Sequence, residues 1–142
     1  MTYEQLDFIA DSYIPLLFIV TSIAMVKGIA DNGLSQMYGH ITATLSSIVI
    51  AYGVMFLDIR FNIWPAFESD YSTHTALSLV FVSYFLLRSK VQMCIAVTSL
   101  IAYFILMVYQ QYHTVTDIIS TSLVLLPLFL LFQVKGQRVK YS

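Results

Sequence analysis

Apolar residues in this chain fall into five long runs closed by short polar breaks, and polarity does not alternate from residue to residue within them. The runs predict helices over about 13–30, 38–57, 72–88, 91–109 and 115–134, with a short basic tail over 135–142. Each approaches the roughly 20 residues a helix needs to cross about 30 Å of hydrocarbon, the third and fifth falling a little short. Strands of a membrane barrel would be about ten residues long with alternating polarity, which these are not. Asp11 and Ser12 are the expected N-caps of the first helix, with Pro15 in its first turn, where a missing N–H costs little. Asp31-Asn32-Gly33 ends that helix, and Arg88-Ser89-Lys90 separates the third from the fourth. No internal repeat or linker divides the chain. The expected fold is one all-α domain, a polytopic membrane bundle of about five transmembrane helices.

Composition strengthens this reading. Of 142 residues, 58% are hydrophobic and only 11% charged, where a soluble domain is about a quarter charged. Mean hydropathy is +0.79. There is too little polar surface to cover a water-facing globule. The net charge of -1 gives no sign of a nucleic-acid partner. The single cysteine, Cys94, forms no internal disulfide and is expected to be a small buried apolar residue. The first twelve residues carry Glu4, Asp7 and Asp11 but no Lys or Arg, unlike a secretory signal, so the first run is expected to stay in the membrane.

Charge also orients the bundle. With five alternating spans, Lys27, Arg88, Lys90, Lys135, Arg138 and Lys140 fall on one side and Arg60 alone on the other. The positive-inside rule then puts the C-terminus in the cytoplasm and the N-terminus outside it. Asp58, Glu68, Asp70, His74, His113 and Asp117 gather at the outer side. Trp64, Tyr71, Tyr109 and Tyr112 accompany them and are expected mostly in an interfacial aromatic belt. His40 falls on the cytoplasmic side as an interfacial histidine. Ser46, Ser47, Ser78 and Ser83 suit close helix packing.

Ionisable groups at the mouth of a membrane bundle are costly, so they point to function. One cluster, Asp70-Tyr71-Ser72-Thr73-His74-Thr75, leads into the third helix. Its free N–H groups and positive dipole end suit a phosphate, and His74 there could protonate a leaving oxygen. The other cluster, His113-Thr114-Val115-Thr116-Asp117, leads into the fifth. If that helix starts at or before His113, His113 and Asp117 share a face one turn apart. The carboxylate could then hold one imidazole nitrogen and leave the other nucleophilic.

These elements resemble the type 2 phosphatidic acid phosphatase (PAP2) superfamily. Ser72-x-His74 is similar to its second motif, Pro-Ser-Gly-His, and His113-x-x-x-Asp117 to the core of its third, Ser-Arg-x5-His-x3-Asp. His113-Thr114-Val115-Thr116-Asp117-Ile118, with Thr75 after His74, also looks like the sphingomyelin synthase branch. The likeness covers about half the chain, from Met55 to Leu125. It implies phosphoryl transfer through a phosphohistidine without metal or other cofactor: His113 as nucleophile, Asp117 orienting it, His74 as acid. The implied partners are membrane lipids, a lipid phosphate as substrate, and an oligomer or partner subunit as an option. Substrate contacts would come from Ser72, Thr73 and Arg60.

There are departures. The first motif, Lys-x6-Arg-Pro, is missing, leaving Arg60 as the one basic residue on that side. The third-motif Arg position is Met107, and Tyr71 and Thr73 replace Pro and Gly of the second motif. From the residues alone, other readings stand: interfacial histidines, a zinc site of two histidines and a carboxylate, a proton relay, or a surface pair of Asp58 with Arg60. A catalytically impaired lipid-binding or accessory protein is the alternative to the enzyme.

Overall fold

The computed structural model describes residues 2–138, with side chains through Gln137; Lys140 of the basic tail lies outside the described residues. Among them the fold is all helical: α1 Tyr3–Asn32, α2 Leu34–Phe61, a 3-10 turn Pro65–Phe67, α3 Thr73–Leu86, α4 Lys90–Tyr109 and α5 Val115–Arg138. The chain forms a membrane helix bundle, in which α1, α2, α4 and α5 are long and apolar enough to span a bilayer. Their outward faces carry Phe18, Ile23, Val49, Ile95, Ile105 and Leu123, all more than half exposed to what is then lipid rather than water.

The fifth helix, α3, differs. Its 14 residues rise about 21 Å, short of the hydrocarbon thickness. It packs against each of the other four helices, and ten of its residues, from Thr75 to Phe85, are buried. Ala76, Leu79, Val80 and Phe81 form the middle of the core with Leu125 and Phe129 of α5 and Leu17 of α1.

Several helix ends differ from expectation. α1 starts well before Tyr13 because Thr2 and Gln5 form a capping box, each side chain reaching the other's backbone N–H. Asp11 and Ser12 therefore lie within it, and Pro15 is inside the helix rather than in its first turn. α2 begins at Leu34, straight after Gly33, whose φ of 85° lets the chain reverse in one residue.

Burial corrects four other expectations. Cys94 is exposed on the lipid face of α4. Trp64 and Tyr71 are core residues, 6% and 9% exposed, packed edge to face 5.0 Å apart, whereas Tyr109 and Tyr112 stay at the surface. His40 is buried rather than interfacial, its Nδ1 3.1 Å from Gln133 Oε1, and Gln133 Nε2 donates to Thr44 Oγ1. Beside it α2 and α5 touch backbone to backbone: a Cβ on Gly39 would overlap the Gly136 carbonyl oxygen. Ser47, Ser78 and Ser83 are buried, each hydroxyl satisfied by its own helix at Ala43, Thr75 and Val80, so they add no polar cost to close packing.

Candidate functional site

The connections α2–α3 and α4–α5 meet at one end of the bundle, and Asp117 joins them. Its Oδ1 accepts from Ser69 Oγ at 2.8 Å and from the Asp70 backbone N–H at 2.8 Å, and its Oδ2 accepts from the Thr114 N–H at 2.8 Å. Thr114 Oγ1 in turn accepts from the Asp117 N–H, so Thr114 is the N-cap of α5 and His113 lies just before the helix. Next along α5, Ser120 Oγ accepts from the Trp64 indole N–H at 3.1 Å, and Thr121 Oγ1 accepts from the Ser72 N–H at 3.1 Å. One face of α5, positions 117, 120 and 121, thus holds the loop that leads into α3.

That loop is fixed from the other side as well. Asp58 Oδ1 accepts from the Trp64 N–H at 2.7 Å, and the Tyr71 hydroxyl donates to the Ala51 carbonyl at 2.7 Å. Asp58 therefore shapes the loop; no ion pair joins it to Arg60 among the described residues. Asn62, Glu68 and Gln111 take left-handed backbone angles, with φ of 51°, 54° and 60°. These turns aim the two histidine-bearing segments at each other.

His74 and His113 have ring centroids 6.1 Å apart. Both are partly buried. The His113 Nδ1 is 3.8 Å from Asp117 Oδ2, too long for a hydrogen bond, so the carboxylate acts on the imidazole through charge. Burial pushes His113 below the usual imidazole range and the neighbouring His74 adds to this, while Asp117 and Asp70 pull the other way. The net result is a neutral imidazole at pH 7, the form that can attack an electrophile.

The cluster that leads into α3 divides its duties. Ser72 is fully buried; its hydroxyl caps α3 by accepting from the Thr75 N–H. It is therefore a structural residue, not a free hydroxyl. The Thr73 and His74 amides lie in the first turn, where helix N–H groups lack intrahelical acceptors. Arg60 stands apart: it is exposed, its guanidinium 5.9 Å from the Phe61 ring, and no contact joins it to either histidine among the described residues. Met107 is 1% exposed in the core.

Two concavities lie along these segments, neither of them lined by His74 or His113. One, of about 300 Å³, is polar and lined by Pro65, Glu68, Ser69, Asp70, Thr114 and Asp117. The other is an apolar groove between α4 and α5, lined by Ile101, Ile105, Val108, Val115 and Ile119 among others. Val108 and Val115 in its lining bracket, in sequence, the connection that carries His113. No group of three His, Cys, Asp or Glu residues is arranged to hold a metal among the described residues.

Sequence reasoning missed Ser69, Ser120 and Thr121 as the parts that lock the two segments together. A readable trace existed for two of them, since Ser120 and Thr121 lie three and four residues after Asp117 and so on its face. Compared with known family models, curated proteins and solved structures, the chain matches none.

Proposed function

We propose that the protein is a membrane-embedded lipid phosphatase or phosphotransferase working through a phosphohistidine at its non-cytoplasmic face. The observation that carries this is the approach of His74 to His113, 6.1 Å between rings, from two different helix starts. A phosphoryl group is of a size to sit between them. His113, neutral and beside Asp117, attacks phosphorus; His74 gives its proton to the departing alcohol oxygen; water or a second alcohol then takes the phosphoryl group from His113. The Thr73 and His74 amides at the α3 N-terminus hold non-bridging oxygens. The substrate is an amphiphile such as phosphatidate, a polyprenyl (di)phosphate or lipid A, and the apolar groove between α4 and α5 supports the reading of a lipid tail. Basic residues at the opposite end, with short loops, support a bacterial inner membrane, N-terminus out and C-terminus in. His113→Ala should abolish phosphate release from such lipids in detergent micelles; release equal to wild type would sink the reading.

A second reading, an impaired relative acting as a lipid-binding or accessory subunit, is favoured by one observation. The polar cavity is lined by Glu68, Asp70 and Asp117 and, among the described residues, by no Lys or Arg, while the Arg60 guanidinium lies 5.9 Å from the Phe61 ring. Trapping a phosphohistidine on the purified protein would eliminate it. Lipid binding without turnover, or a stable partner in native purification, would support it.

A further inference from the structure

The turn that carries His113 is tied to the first helix by an acid far away in sequence. Asp7, in the second turn of α1, accepts through Oδ1 from the Tyr112 hydroxyl and from Gln110 Nε2, the latter at 3.4 Å. The Tyr3 hydroxyl donates to the Gln110 carbonyl, also at 3.4 Å. Asp7 has no Lys, Arg or His partner among the described residues. A carboxylate at the end of a membrane bundle is costly unless it is hydrogen-bonded, and here a phenol and an amide of one turn both donate to its Oδ1.

What that turn holds gives the contact its meaning. Gln110 closes α4, and Gln111 follows with a φ of 60°. The Tyr112 N–H then donates to the Met107 carbonyl, and His113 comes next. The Tyr112 ring lies 6.0 Å from His74, much as His113 lies 6.1 Å from it. The phenol is the donor, and the bond to Asp7 pushes its pKa up to about 12, so it remains a donor at any physiological pH.

We propose that Asp7 is a positioning residue of the site, which through Tyr112 sets the spacing of His74 and His113. This rests on the phosphohistidine reading above. Asp7 touches neither histidine and takes no part in bond making. It anchors the ring packed beside His74 and the turn from which His113 is presented.

The test uses the full-length protein in detergent micelles, with two readouts. The first is independent of turnover: the imidazole C–H signals of His74 and His113 by NMR, assigned with His→Gln variants. In Asp7→Ala the His74 signals should lose the displacement caused by the Tyr112 ring. Tyr112→Phe should move the same signals the same way, the double variant should move them no further, and Asp7→Glu should restore at least half the change. The second is phosphate release from phosphatidate in mixed micelles. There Asp7→Ala should lower kcat by roughly 10- to 100-fold, the scale of a misplaced catalytic group, with KM little changed.

Histidine signals unmoved in folded Asp7→Ala, or single-variant effects that simply add, would overturn the proposal. If Asp7→Ala does not fold, Tyr112→Phe, altered only at a surface hydroxyl, decides it by the same signals. If the wild type neither releases phosphate from any lipid phosphate nor passes it to an added alcohol, the phosphohistidine reading fails, and the NMR arm alone decides whether Asp7 sets the spacing.

Discussion

Thr114 and Asp117 cap each other at the start of α5: the Asp117 carboxylate accepts from the Thr114 N–H at 2.8 Å, and the Thr114 hydroxyl accepts from the Asp117 N–H at 3.2 Å. The same carboxylate also receives Ser69 and the Asp70 amide. One side chain therefore ends a helix, pins a distant loop and lies beside His113.

Removing it should cost more than removing an ordinary cap. Thr114→Ala is expected to destabilise by about 1 kcal/mol, the usual value of an N-cap. Asp117→Ala leaves three donors without an acceptor and should cost about 3 kcal/mol or more. Asp117→Asn, which keeps an acceptor oxygen, should fall between them. Thermal unfolding in one detergent compares all three, and equal losses for Thr114→Ala and Asp117→Ala would show the loop bonds to be worth nothing.

His74 has a separable role. If it protonates the leaving alcohol, His74→Ala should slow turnover of an alkyl lipid phosphate by roughly 10²- to 10⁴-fold. A nitrophenyl phosphate, whose leaving group needs no proton, should lose far less. Steady-state rates on the two substrates give the comparison, and similar losses would assign His74 to binding.

The pH dependence follows from burial of His113. Its folded-state pKa is lowered from an ordinary value near 6.5, so the unfolded chain takes up its proton first as pH falls. The stability this contributes is fully present above about 6.5 and is lost as pH drops through the lower folded value. Activity should follow the same acid limb, because the protonated ring cannot attack phosphorus. Melting temperature and kcat/KM, followed between about pH 5 and 8, test this, and His113→Gln should flatten the acid-side loss of stability.

At the far end of the bundle, Gly39→Ala should destabilise by about 1–3 kcal/mol, since the new methyl group meets the α5 backbone rather than a side chain that can swing aside. Gly53, whose Cβ direction is open, should accept alanine without loss. Unfolding of the two variants side by side measures the contrast.

The five helices were legible because lipid demands an unbroken apolar run for each span, and Ile14 to Val26 or Val91 to Val108 can be read almost by eye. Their ends were not. Glu4, Asp7 and Asp11 look like a polar leader, yet Thr2 with Gln5 starts α1 ahead of them, because a helix reaching past the hydrocarbon can carry charge. The two histidine clusters stood out as costly polar groups. Their setting did not, since Ser69 and Asp117 are 48 residues apart and Asp7 and Tyr112 are 105 apart. Trp64 and Tyr71 looked like belt residues because aromatic side chains suit both an interface and a core; only the loop's return over α2 and α5 decides between them.

The short α3 has a bearing on how the chain sits in the bilayer. On its own it is a poor passenger, with too few turns to span and a serine-capped start carrying a histidine. Covered by four neighbours, it faces almost no lipid once in place. Its depth is therefore set by the helices that cover it rather than by its own length, and Leu87, Arg88 and Ser89 leave it little slack from α4. The segment that carries His74 is thus held in place by borrowed walls, so a packing defect in any of the four neighbours can reach it.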